Sequence, residues 1–145
     1  LVAMTGSSLR RVDTRYARNG EVVSFADAFP LLLIAQSSLD ELNSRLATPV
    51  PMRRFRPNLV VEGCEPFAED TWKEIRIGNV PLHVVKPCAR CVVTTVDTRT
   101  GEKGEEPLRT LATFRSVGNK VMFGQNLLHA ANGTLRVGDT LVVQR

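Results

Sequence analysis

Two patterns of apolar and polar positions share this chain. Near residue 40 the apolar positions recur at helical spacing, and from residue 58 onward short β-branched runs are punctuated by Gly, Pro and Asn. Leu39, Leu42 and Leu46 form a stripe that predicts a helix over 37–46, with Ser37 or Ser38 as its cap and Asp40 and Glu41 in the first turn. Pro49 and Pro51 stop it. Strands are expected at 21–25, 58–61, 72–77, 81–85, 91–96, 120–128 and 141–143, with Trp72 in the core. Gly78-Asn79 marks a two-residue hairpin. Pro107 opens a short helix over 107–114, and 133–140 reads as a turn, a strand and a final turn. Residues 1–20 form an irregular, Arg- and Ser-rich lead-in. Many short strands with regular turn signals predict a mainly β fold, an antiparallel β-barrel with one or two packed α-helices, in a single domain over 1–145.

Composition narrows the function classes. At 145 residues and 43% apolar content the chain can bury a core. No run of about 18 apolar residues exists, so no membrane partner is expected. No basic segment followed by an apolar stretch suggests a secretory signal, and a start at Leu1 suggests a domain cut from a longer polypeptide. Three cysteines, an odd number, argue for a reducing compartment and against a disulfide scaffold. The net charge of +4 suits an anionic cofactor as well as nucleic acid, but the aromatic residues that base stacking needs are few and scattered, so no nucleic-acid partner is expected.

The densest chemistry lies in Lys86-Pro87-Cys88-Ala89-Arg90-Cys91, where one β-branched run gives way to the next. A guanidinium beside a thiol favours the thiolate, the form that is nucleophilic and binds metals. Packing in neighbouring strands is the plain alternative. Zinc is poorly served, because only Cys64, His83 and His129 are left to complete a site. A thioredoxin-type pair needs a helix start after the first cysteine, whereas strand formers follow here. A second cluster, Arg53-Arg54-Phe55-Arg56-Pro57-Asn58, is either a solvated loop or an anion site with arginine forks and the neutral donor Asn58. Phe123-Gly124-Gln125-Asn126 places a glycine inside a strand, which signals a bulge with surface amides or a close approach of another backbone or ligand. Asp27 is one carboxylate in an apolar segment, and His83 and His129 read as strand residues. No Ser-His-Asp set, phosphate-cradling glycine loop or catalytic carboxylate pair is evident.

Taken together, the chain resembles the MOSC domain, the C-terminal domain of molybdenum cofactor sulfurases. The likeness is carried by residues 22–27, Leu31 to Ile34 with Ser38 to Asn43, Phe55-Arg56-Pro57-Asn58, and Ala68 to Trp72. It continues through Lys86 to Asp97, Glu106-Pro107-Leu108, Phe123 to Asn126 and Arg136-Val137-Gly138-Asp139. Within the family it resembles bacterial YcbX-like proteins and the mitochondrial amidoxime-reducing component. That resemblance implies a β-barrel binding molybdenum cofactor, in an oxidoreductase that reduces N-hydroxylated small molecules, base analogues among them. It maps the molybdenum-binding thiolate onto Cys91, the pterin and phosphate contacts onto Arg56, Asn58 and Arg90, and a position near the metal onto Asp27. Where relatives often carry Ser or Thr, this chain has Ala89. An N-terminal β-barrel domain and a ferredoxin domain of such relatives are not in this sequence, so an iron–sulfur or flavin protein or domain is expected as electron donor. The alternative is a sulfur carrier, with a cysteine persulfide, serving cofactor sulfuration beside a pyridoxal-phosphate desulfurase. A bacterial cytoplasmic location is expected for either.

Overall fold

The structure is a computed structural model, and it describes residues 10–17, 20–23 and 28–144. In chain order its elements begin with β1 (Arg10–Arg11), β2 (Val22–Val23), β3 (Leu31–Ala35) and helix α1 (Gln36–Ser44). A 3₁₀ turn at Met52–Arg54, β4 (Leu59–Val61) and a second 3₁₀ turn at Ala68–Thr71 follow. Then come β5 (Glu74–Ile77), β6 (Val80–Arg90), a 3₁₀ turn at Val92–Thr95 and helix α2 (Leu108–Phe114). β7 (Ser116–Val117), β8 (Lys120–His129) and β9 (Leu141–Gln144) complete the set. The mainly β fold with two helices stands as the sequence predicts. Trp72 precedes β5 and is only half-buried, so it is not a core residue. No strand forms between Gly133 and Thr140, because Arg136 N–H and carbonyl are both held locally, by Asp139 Oδ2 and Asp139 N–H.

The chain divides into two compact units. One is built from the described residues within 1–31, 72–86 and 126–145. Here β1 and β2 pair antiparallel, and β5 and β6 form the expected hairpin through Gly78-Asn79, with Ile75 opposite Leu82 and Ile77 opposite Val80. β9 pairs antiparallel along the other side of β5. Ile75 and Ile77 alternate with Glu74 and Arg76, so one face of β5 is buried, as a two-residue period dictates. Val12, Val23, Phe29 and Leu128 make a separate apolar cluster.

The other unit, 32–71 with 87–125, positions the chemistry. β3 and β4 pair parallel, Leu33 with Leu59 and Ala35 with Val61, so the expected antiparallel pattern does not extend to this edge. A parallel pair needs a crossover, which α1 and the following turn supply. The Leu39, Leu42 and Leu46 stripe packs as predicted, with Ile34, Val50, Phe55, Leu111 and Phe123. α1 is capped at Ala35, two or three positions before the serines expected to cap it, so Asp40 and Glu41 fall outside the first turn. Ser38 is instead fully buried. Its hydroxyl donates to the buried Glu69 carboxylate (2.8 Å) and accepts from Phe67 N–H (2.7 Å), and Ala35 N–H also donates to Glu69 (3.2 Å). A carboxylate from a distant turn thus does what a local cap does elsewhere. Gly124 bears out the expected close approach: at φ +81, a Cβ there would lie 2.7 Å from Ile34 Cγ1 and 2.9 Å from Leu33 O. Gln125 is buried rather than a surface amide, and donates to Asp70 (2.7 Å).

Candidate functional site

β6 stays extended through Arg90, and Cys91 continues that backbone at φ −117, ψ 176. Successive side chains of a strand face opposite ways, so Cys88 and Arg90 share a face and Cys91 takes the other. The contacts agree: Arg90 Nη1 donates to Cys88 Sγ at 3.0 Å. The guanidinium expected to favour the Cys91 thiolate therefore serves Cys88. Three extended steps also separate the two cysteines by about 10 Å of backbone, beyond the roughly 7 Å that a disulfide spans. They do not form a thioredoxin-type pair. Cys91 is exposed, whereas Cys88 is half-buried.

The strand expected over 91–96 is absent. Residues 92–95 turn instead, because two threonine hydroxyls bond back onto their own backbone: Thr94 Oγ1 to Cys91 O (3.0 Å) and Thr95 Oγ1 to Val92 O (2.8 Å). Thr94 N–H adds a second bond to Cys91 O at 3.2 Å. Burial follows the turn and inverts the usual order: Thr94 and Thr95 are each 3% exposed, Val92 and Val93 about half exposed at 49% and 52%.

The arginine cluster lies in the same unit. Arg56 is exposed and sits at φ +55, a left-handed conformation that is uncommon outside glycine. Asn58 joins the start of β4 to β3: its N–H donates to Leu32 O (2.9 Å) and its Oδ1 accepts from Leu32 N–H (2.8 Å). Three arginines tie this loop to the cysteine segment. Arg90 Nη2 donates to Phe55 O (2.7 Å), and Arg53 Nε donates to Thr98 Oγ1 (3.0 Å). Arg54 forks, giving one bond to Thr94 O (3.3 Å) and one to Asp97 Oδ2 (3.2 Å). Asp97 is held below the usual carboxylate range, first by the Arg99 N–H, against the burial that raises it, and then by the Thr100 N–H and the Arg54 and Arg99 charges. Beside this fork opens a cleft of about 530 Å³, lined by Pro51, Arg54, Thr95, Asp97, Lys103 and Arg109 among others, with neither Cys88 nor Cys91 in its wall.

The predicted residues thus divide. Cys91 and Arg56 are exposed and lie in the unit where the two clusters are tied, while Asn58 and Arg90 carry structural bonds at the same time. Asp27 lies outside the described residues. Among the described residues, no three of His, Cys, Asp and Glu gather as a metal-holding group. Sequence reasoning missed Thr94 and the fork of Arg54. A signal for the first was present in Thr94-Thr95 before Asp97, since hydroxyls and carboxylates at such spacing compete with strand hydrogen bonding.

Comparison with known proteins gives this arrangement a family. The MOSC domain model matches residues 20–142. The chain is 40% identical over 131 residues to mitochondrial amidoxime-reducing component 1 of Homo sapiens, covering 84% of this chain and 39% of that protein. To mitochondrial amidoxime reducing component 2 of Rattus norvegicus it is 45% identical over 133 residues, 86% of this chain and 39% of the relative. The same component of Macaca fascicularis matches at 38% over 145 residues, 94% of this chain and 43% of the relative. The chain spans about two fifths of the length of the curated relatives it matches. These relatives are mitochondrial proteins of animals, which overturns the expected bacterial cytoplasmic location. They do not favour the sulfur-carrier alternative.

Proposed function

This chain belongs to the MOSC domain family, and on this footing we propose that it is the molybdenum-cofactor-binding part of an oxidoreductase that reduces N-hydroxylated compounds, with the Cys91 thiolate as molybdenum ligand. Members of the family bind molybdenum cofactor, and the relatives are named for amidoxime reduction. The carrying observation is the exposed Cys91, set at the end of β6 on a turn tied to the arginine loop. The fit to the cofactor rests on donor chemistry. An accessible thiolate suits a thiophilic metal, and the exposed Arg56 fork suits a phosphate.

When bound, the cofactor supplies the two-electron redox centre, and the hard chemistry is its own. Each N–OH group reduced takes two electrons and two protons and releases water. The chain's residues hold and orient. Thr94 fixes the carbonyl of Cys91 and so the start of the turn from which the sulfur projects. Arg56 is the anion-facing cation, Asn58 anchors its loop, and Arg90 cross-links that loop to β6. Electrons come from an iron–sulfur or flavin donor, as a protein or a domain. The test is molybdenum and pterin analysis of purified parent protein and Cys91→Ala, together with amidoxime reduction using a chemical reductant. Equal molybdenum in the two would overturn the ligand assignment, and a parent protein with no pterin would overturn the function.

A further inference from the structure

We infer that Arg54 is a positioning residue for Cys91, acting through the fork that joins the Thr94 carbonyl to Asp97. The inference rests on the proposed function for its meaning, but the geometry stands by itself. Residues 92–95 leave the sheet, and the apolar side chains of the turn, Val92 and Val93, are half exposed, so packing through them is partial. The turn's buried side chains are Thr94 and Thr95, and both hydroxyls bond back to the backbone. Polar ties therefore bear directly on where Cys91 sits. Thr94 grips the Cys91 carbonyl twice from within the turn, through N–H and Oγ1. Arg54 grips Thr94 from outside, through its own carbonyl.

The far end of the fork is equally fixed. Asp97 Oδ1 accepts from Arg99 N–H (2.8 Å), and Asp97 N–H donates to Glu102 O (2.7 Å), which leaves Oδ2 as the oxygen facing Arg54 at 3.2 Å. The Arg54 side chain is 11% exposed and follows directly on Arg53, two residues before Arg56. One guanidinium thus links the loop carrying the proposed phosphate contact to the turn carrying the proposed metal ligand. A lysine can keep the charge pair with Asp97, but a single ammonium does not reproduce the planar fork. Charge and fork are therefore separable by substitution.

Four variants test this: Arg54→Met, Arg54→Lys, Thr94→Val and Thr94→Ser. In metal-free protein, hydrogen exchange of the Thr94 and Val96 amides should rise about tenfold in Arg54→Met and Thr94→Val, as expected of a local opening. The Val84 amide, bonded to Lys73 O, should not change. In protein loaded with molybdenum cofactor, both variants should retain molybdenum about tenfold or more weakly, the scale of an outer-shell loss, with thiolate coordination reduced in the X-ray absorption spectrum. Thr94→Ser should restore both readings. Arg54→Lys should keep the melting temperature of the parent and still lose molybdenum, which keeps the test decisive if Arg54→Met fails to fold. Unchanged turn exchange overturns the tie. Faster exchange with parental molybdenum content and coordination makes Arg54 structural only and overturns the positioning role. A parent protein that holds no molybdenum overturns the proposed function, while the exchange measurement still reads the tie.

Discussion

The start of α1 and the turn after Cys91 meet the same physical problem and resolve it in opposite ways. In each, a short backbone segment leaves a strand and its polar groups need partners from far along the chain. At α1 the partner is Glu69, buried with Ser38, and the cluster is sealed. At the cysteine turn the partner is Arg54, the buried groups are threonine hydroxyls, and the residue ahead of them stays in solvent. A sealed tie is enclosed with the core, whereas an open one holds an exposed cysteine in place without enclosing it. Substitutions should therefore act on stability at the first place and on ligand retention at the second.

The sharpest way to break that contrast is Cys91→Ala. It should lower molybdenum content by about a hundredfold or more, beyond the loss typical of an outer-shell residue, while changing stability by less than about 0.5 kcal/mol, as for an exposed side chain. Cys88→Ala should retain more molybdenum, because its sulfur meets Arg90 instead. Next comes Glu69→Ala, which strands a buried hydroxyl and the Ala35 N–H and should cost about 3 kcal/mol in denaturant unfolding. If that variant kept its stability but shed cofactor, the two regions would not differ as described. Arg56→Ala should weaken pterin and phosphate retention about tenfold, on the scale of one charge-assisted contact, with little change in melting temperature.

The smallest effect concerns acid. Asp97 is depressed in the folded chain, so its contribution is present above the ordinary carboxylate range and is lost as pH falls through its lowered folded value. Exchange at the Thr94 amide should thus stay slow from neutral pH down past about pH 4, the usual carboxylate value, and quicken only below it. Quickening at pH 5 to 6 would show that another group governs the turn.

Much of the fold was legible because it follows from periodicity and turn chemistry. The leucine stripe, the Gly78-Asn79 hairpin and the glycine inside β8 each state a local requirement that the structure meets. Residues 91–96 misled because β propensity describes a half-buried pleated surface, and here the valines are on the outside while the threonines turn the chain. The site was half legible for a related reason. Adjacency in sequence suggested that Arg90 serves Cys91, but strand alternation gives it to Cys88. Nothing local could announce that Arg54 reaches Thr94 across 40 positions or that Asn58 is held to Leu32 across 26. Such pairings exist only once β3, β4 and the loop between them have formed.

The left-handed backbone at Arg56 has a practical corollary. Any side chain with a Cβ is disfavoured there by about 1 kcal/mol relative to glycine, so alanine deletes the guanidinium and keeps the conformational penalty, whereas glycine deletes both. The pair Arg56→Ala and Arg56→Gly thus forms an internal control in which the lost charge is common and the relief of the backbone is not.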